Sequence, residues 1–142
     1  MGSPIFHPTQ KNITILFLIY FRSLNKRIKR KPFHIPNIQY IRLKLEGFLF
    51  ATSLDLNMGY HHVQLTPNSC LLSRIVLPLG KYEYRWLPMG VSIAPIIFQE
   101  KINCLFHGFE HIQAYLDNVL LTIKNYWDDH LVKLKCVLLR LA

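Results

Sequence analysis

Ile112-Gln113-Ala114-Tyr115-Leu116-Asp117-Asn118-Val119-Leu120-Leu121-Thr122-Ile123 is the stretch from which the fold can be read. Two apolar runs, 112–117 and 119–123, flank Asp117-Asn118, residues that tolerate the positive φ of a tight hairpin turn. The spacing predicts an antiparallel hairpin with a carboxylate at its tip. Upstream, Phe50-Ala51-Thr52-Ser53-Leu54-Asp55 is another apolar run ending in a carboxylate, followed by Leu56-Asn57-Met58-Gly59-Tyr60. If the two strands are neighbours in one sheet, Asp55 and Asp117 converge.

Converging carboxylates suit a hard cation. Mg²⁺ takes oxygen ligands and is often held by one or two carboxylates together with substrate phosphates. Paired ions about 3.5–4 Å apart stabilise the attacking and leaving oxygens of an in-line displacement. Two isolated Asp residues carry little weight alone, since Asp55 could equally cap the turn before Gly59.

Outward from the hairpin, periodicity predicts helices and further strands. Phe98, Ile102, Leu105, Phe106 and Phe109 form a helical stripe after Pro95, closed near Gly108. Trp127, Leu131, Leu134, Leu138 and Leu141 form another, with Asn125 as N-cap and Asp128 and Asp129 in the first turn, where the helix dipole favours them. Ile38, Ile41, Leu45 and Phe48 predict a helix begun by Pro36 and stopped near Gly47. Leu71 to Leu77 and Tyr82 to Leu87 read as strands around a Pro78-Leu79-Gly80-Lys81 turn. Helices laid on one face of an antiparallel sheet give an α+β fold.

Five segments, in order, resemble the reverse transcriptase of gypsy-type long-terminal-repeat retrotransposons, an RNA-directed DNA polymerase. Arg22-Ser23-Leu24-Asn25-Lys26 resembles the fingers motif, and Lys31-Pro32-Phe33-His34-Ile35-Pro36-Asn37-Ile38-Gln39 the segment after it. Ser53-Leu54-Asp55 through Tyr60-His61 resembles the first catalytic motif. Leu87-Pro88-Met89-Gly90-Val91-Ser92-Ile93-Ala94-Pro95-Ile96-Ile97-Phe98-Gln99 resembles the template and nucleotide segment, and Tyr115-Leu116-Asp117-Asn118 the metal hairpin.

The resemblance implies the fingers and palm of a right-hand polymerase, residues 1–49 being fingers-like and 50–142 palm. On it, Asp55 and Asp117 hold two Mg²⁺ or Mn²⁺ ions, Tyr60 packs under the sugar, and Leu87, Pro88, Met89 and Gly90 line the nucleotide side. Template-primer and deoxynucleoside triphosphates are the implied partners. The chain ends at Ala142, before the thumb, connection and ribonuclease H regions, so the expectation is a fragment of a parent polyprotein. Without the resemblance, Tyr60 reads as core and Pro88-Met89-Gly90 as a turn.

Composition agrees with a polyanionic partner. Seventeen Lys and Arg against eight Asp and Glu give a formal charge of +9, which favours salt-sensitive binding to nucleic acid. Arg22, Lys26, Arg27, Lys29, Arg30 and Lys31 crowd into ten positions. By composition alone that run is equally a solvated face or a nuclear-localisation-like stretch; the resemblance favours nucleic acid. Cys70, Cys104 and Cys136 are odd in number and widely spaced, with neither disulfide nor zinc pattern, which fits an intracellular setting, cytoplasmic or nuclear. His107 and His111 stand four apart without an acidic third ligand, and read as ordinary histidines. The run Ile13-Thr14-Ile15-Leu16-Phe17-Leu18-Ile19-Tyr20-Phe21 is too short for the roughly 20 residues of a membrane helix and reads as a strand.

The departures from the family pattern gather on charge. Asn118 stands where the family carries a second Asp. Leu72, Leu16 and Tyr20 stand where it carries a basic residue, an Arg and an acidic residue, and Lys11-Asn12-Ile13 replaces its Lys-Asp-Gly loop. Leucine cannot neutralise phosphate charge, the main tool of phosphoryl-transfer catalysts. The expectation is a catalytically impaired polymerase, with a non-catalytic nucleic-acid-binding remnant or an untranslated transposon relic as alternatives. A hydrophobic share of 51% predicts poor solubility.

Overall fold

The computed structural model describes residues 5–7, 16–29, 32, 39 and 46–142. In chain order they form strands β1 (Ile5–His7) and β2 (Leu16–Leu18), helix α1 (Arg22–Arg27), strand β3 (Phe50–Asp55) and a 3₁₀ turn at Gly59–His62. Helix α2 (Pro67–Leu72), strands β4 (Ile75–Leu77) and β5 (Gly80–Tyr82) and helix α3 (Ala94–Leu105) follow. Strands β6 (Ile112–Tyr115) and β7 (Asn118–Ile123) and helix α4 (Trp127–Leu141) complete the chain. The fold is α+β with antiparallel sheets, as the periodicities predict. Arg30, Lys31, Lys11-Asn12-Ile13 and the helix face of Ile38, Ile41 and Leu45 lie outside the described residues.

The chain gathers into two compact units, each built from two separated segments: Met1–Pro32 with Met58–Ile97, and Phe33–Asn57 with Phe98–Ala142. In the second unit β7 is the middle strand of a three-stranded sheet, paired with β3 on one side and β6 on the other. Its Val119, Leu121 and Ile123 are at most 1% exposed, so every second side chain enters the core, as a strand's two-residue period requires. Each such burial stabilises the fold by about 1.5–3 kcal/mol. Phe98, Ile102 and Phe106 are buried on the predicted stripe, with Leu105 and Phe109 half-buried.

Helix α4 forms where predicted but turns a different face inward. Trp127, Leu131 and Leu138 are about half exposed, whereas His130 and Val137 are buried. Leu134 and Leu141 are half-buried and belong to both stripes. The cause is a polar anchor that hydropathy alone does not register. The His130 Nε2 hydrogen-bonds the Thr52 Oγ1 on β3 at 2.8 Å, and the Trp127 ring stacks on the imidazole at 5.4 Å. Phe50 meets Trp127 edge-on at 5.2 Å. The N-cap is Tyr126 rather than Asn125, and its side chain makes no capping bond. Lys133 at 2.9 Å, with help from the Asn125 side chain, holds the Asp129 carboxyl below the usual range.

In the first unit Ile19, Phe21, Leu87, Val91 and Ala94 make a buried cluster, with Tyr84 edge-on to Phe21 at 5.9 Å. The predicted strand in 13–21 is confirmed at Leu16–Leu18, paired antiparallel with β1. The β4–β5 hairpin exists but is shorter than expected, with Leu77 opposite Gly80 across Pro78-Leu79. Leu71 and Leu72 belong to α2 instead of a strand. Thr66 accepts the Ser69 N–H and Pro67 occupies the first turn, so a cap and a preset φ commit the segment to helix.

Candidate metal hairpin and nucleotide segment

The register of the second unit brings the predicted carboxylates together. Asp55, last residue of β3, lies directly opposite Asn118, the first of β7, and the Leu56 N–H donates to the Asp117 carbonyl at 2.7 Å. Asp55, Asp117 and Asn118 therefore share one end of one sheet. Tyr115 pairs with Asn118, so the turn residues are Leu116 and Asp117, one position earlier than Asp117-Asn118. The left-handed residue is Leu116, at φ +50°, not the Asp or the Asn. A left-handed non-glycine residue costs on the order of 1–3 kcal/mol and persists only where its surroundings hold it.

Gln99 on α3 hydrogen-bonds to the backbone of this turn. Its side chain is 0% exposed; the Oε1 accepts the Leu116 N–H at 2.7 Å, and the Nε2 donates to the Ala114 carbonyl at 3.0 Å and to the Asn103 Oδ1 at 2.8 Å. The sequence did carry a signal for it. Gln99 falls on the apolar face shared by Ile102 and Phe106, where a polar side chain must find partners.

Burial pushes the Asp117 carboxyl above the ordinary range, the Asp55 charge adds to the rise, and a backbone hydrogen bond opposes it. The Asp117 Oδ1 is buried without a hydrogen-bond partner. A divalent cation fits that situation: it supplies the unsatisfied oxygen with a partner and cancels the repulsion between the carboxylates. Asn118 is exposed and offers a neutral carbonyl oxygen. Among the described residues no group of three or more His, Cys, Asp or Glu is placed to hold a metal.

The remaining predicted site residues that are described lie in the first unit. Tyr60 is half-buried in the 3₁₀ turn and packs against the core cluster. Leu87 and Pro88 are buried, so their side chains pack rather than line an open surface; Met89 is half-buried and Gly90 exposed. Gly90 has φ +97°, and a Cβ there would sit 2.3 Å from the Ile19 carbonyl oxygen. Only glycine fits.

Asn25 on α1 secures the same segment. Its Nδ2 donates to the Gly90 carbonyl at 2.9 Å and its Oδ1 accepts the Ser92 N–H at 2.8 Å. Asn25 and Gln99 both stand inside the family-like motifs, yet motif and spacing assign neither a role. Around Asn25 on α1, Arg22, Lys26 and Arg27 are exposed, as is Lys29 beyond it, and Arg22 lies over the Tyr20 ring at 5.7 Å. Leu72, at a position where the family pattern has a basic residue, is 67% exposed.

Residues 10–142 match the family described as reverse transcriptase (RNA-dependent DNA polymerase). The Transposon Tf2-7 polyprotein of Schizosaccharomyces pombe is 30% identical over 140 residues, covering 97% of this chain and 10% of the polyprotein. The Tf2-3 polyprotein of the same yeast is 29% identical with the same coverage. The chain thus spans about a tenth of the length of these curated relatives. Among solved structures, the native prototype foamy virus protease-reverse transcriptase superposes with a TM-score of 0.87 at 21% identity, over 99% of this chain and 19% of that one. A foamy viral protease-reverse transcriptase in complex with double-stranded DNA gives 0.86 at 18% identity, over 97% and 24%. At these identities the likeness shows the fold.

Proposed function

The chain belongs to the reverse transcriptase (RNA-dependent DNA polymerase) family, and from that membership we propose that it is a fingers and palm portion of an RNA-directed DNA polymerase of the gypsy-type long-terminal-repeat lineage, catalytically impaired in this copy. The observation that carries the reading is the Asp55–Asp117 pair at one sheet end, with the buried, unpartnered Asp117 Oδ1. Asp55 and Asp117 are the residues that would hold Mg²⁺ or Mn²⁺. When bound, two such ions stabilise the oxygens that attack and leave the transferred phosphoryl group.

The chain's own residues divide the remaining work. β3 and β7 bring the two carboxylates to one edge, and Leu116 turns the backbone so that Asp117 follows at the tip. By resemblance, Tyr60 packs under the sugar, and Met89 and the Gly90 backbone face the nucleotide. The basic side chains of α1 take template-primer phosphates. A parent polyprotein would add thumb, connection and ribonuclease H regions and act inside the cell, in cytoplasm or nucleus. Among the described residues no helix is long and apolar enough to cross a membrane.

Impairment follows from charge. With Asn118 in place of a carboxylate, the protein's formal ligand charge falls from minus three to minus two, and the paired ions bind more weakly. Primer extension on an RNA template, with Mg²⁺ and with Mn²⁺, tests this. We expect weak extension by the parent chain, none by Asp55→Ala, and a partial gain of about tenfold for Asn118→Asp, short of the roughly 10²–10³ that one preorganised group supplies, because the other charge losses remain. Extension that survives Asp55→Ala refutes the site. Full recovery in Asn118→Asp shows that the losses at Leu72, Leu16 and Tyr20 matter little.

A second reading rests on the exposed cations of α1: nucleic-acid binding without catalysis. It predicts affinity that falls steeply with added salt and no extension under any metal.

A further inference from the structure

We propose that Gln99 is a positioning residue for Asp117, its buried carboxamide holding the hairpin turn in the left-handed conformation that presents the Asp117 carboxylate to a divalent cation. The inference rests on the metal reading of Asp55 and Asp117 and adds the device that keeps the site in shape.

Three observations carry it. Leu116 is left-handed at φ +50° without being glycine, so the turn needs outside support. Gln99 touches backbone on both sides of Tyr115, accepting from Leu116 N–H and donating to the Ala114 carbonyl, and so spans the end of β6 and the turn. Its carboxamide is fully enclosed, and its oxygen and both amide hydrogens are matched by Leu116, Ala114 and Asn103.

The amide orientation is fixed by the partners. A backbone carbonyl only accepts and a backbone N–H only donates, so a flipped carboxamide would oppose oxygen to oxygen and N–H to N–H. No apolar side chain of the same length reproduces this bridge. Asp117 follows Leu116 directly, so the dihedral angles of Leu116 set the course of the backbone that carries its carboxylate. A support that orients a ligand in this way is commonly worth 10- to 100-fold in metal affinity.

The test uses the 142-residue chain with two measurements: Mn²⁺ affinity by electron paramagnetic resonance, and hydrogen exchange of the Leu116 and Leu121 amides by nuclear magnetic resonance without metal. Gln99→Met keeps length and removes the bridge. We expect Mn²⁺ affinity to fall about tenfold or more and Leu116 exchange to accelerate at least about tenfold more than that of Leu121, whose core-strand amide follows the global stability.

Adding Leu116→Gly to Gln99→Met should restore part of the lost affinity, because glycine takes the left-handed conformation without the Cβ penalty. A role limited to packing α3 against the sheet would not be relieved at residue 116. Mn²⁺ affinity in Gln99→Met equal to the parent's overturns the proposal. If Gln99→Met does not fold, Gln99→Asn decides: one methylene shorter, it cannot span both backbone groups, and unchanged affinity and Leu116 exchange overturn the proposal. Mn²⁺ binding as tight in Asp117→Asn as in the parent defeats the metal reading instead. Gln99 is then judged on Leu116 exchange alone, acceleration supporting the clamp and constancy refuting it.

Discussion

The hairpin of residues 115–118 and the segment of residues 87–92 lie in different compact units and meet the same problem by opposite means. Each carries a backbone residue at positive φ, and each is gripped by one carboxamide that takes a backbone N–H and gives to a backbone carbonyl. In the 87–92 segment the special residue is Gly90, which has no Cβ to strain, and the Ile19 carbonyl closes the space around it. In the hairpin it is Leu116, which keeps its side chain and relies on the clamp. Gly90 is thus specified by sterics and Leu116 by hydrogen bonding. The difference predicts which substitutions each region tolerates.

The largest effect belongs to Gly90→Ala. A Cβ 2.3 Å from a carbonyl oxygen, at φ +97°, forces Ile19 or the turn to move. A loss of roughly 3–4 kcal/mol is expected, read as a fall in the thermal midpoint. A Gly90→Ala chain that melts with the parent removes the steric half of the comparison.

Asn25→Ala should act through the same segment but more weakly. It strands the Gly90 carbonyl and the Ser92 N–H, yet Asn25 is only half-buried and water can replace part of what is lost. About 1–2 kcal/mol is expected in urea unfolding. Gln99→Met, whose bonds are wholly enclosed, should destabilise the chain by more than Asn25→Ala does. The reverse order would mean that enclosure does not distinguish the two clamps.

The smallest effect concerns pH. Asp117 has its carboxyl raised in the fold, so the folded chain holds that proton more tightly than the unfolded chain. The resulting stability is complete below the ordinary Asp range near pH ~3.9 and is lost as pH rises through the raised value. Asp117→Asn removes the titration and should flatten this decline as pH rises above the ordinary Asp range. For a partly exposed, solvent-screened group the gain at neutral pH is no more than ~0.5 kcal/mol. An unchanged slope in Asp117→Asn would show that burial and the Asp55 charge do not govern the hairpin.

Much of this arrangement is legible without coordinates. Asp55 and Asp117 are each readable at a strand end, while their convergence depends on the pairing of β3 with β7. The strand alternation of 119–123 and the stripe of Phe98, Ile102 and Phe106 follow from periodicity. Each reports a local rule, the pitch of a helix or the two-residue period of a strand. The misreadings occur where a single long-range polar contact outweighs a local tendency. Helix α4 turns His130 inward because Thr52, distant in sequence, offers a hydroxyl. The hairpin turn sits at Leu116-Asp117 rather than at Asp117-Asn118, with Gln99 bonded to the Leu116 N–H. Leu71 and Leu72 differ, since their helix was announced by Thr66-Pro67, a local cap signal that apolar content obscured.

By itself the sequence determined the family, the α+β class and the two carboxylates at strand ends, because composition, order and spacing are properties of the chain alone. Tertiary structure decided which side chains hold those carboxylates in place. Asn25 and Gln99 reach backbone groups 65 and 17 residues away. Such bonds exist only once the chain has closed on itself, because a buried carboxamide takes its role from whichever donors and acceptors the fold sets around it.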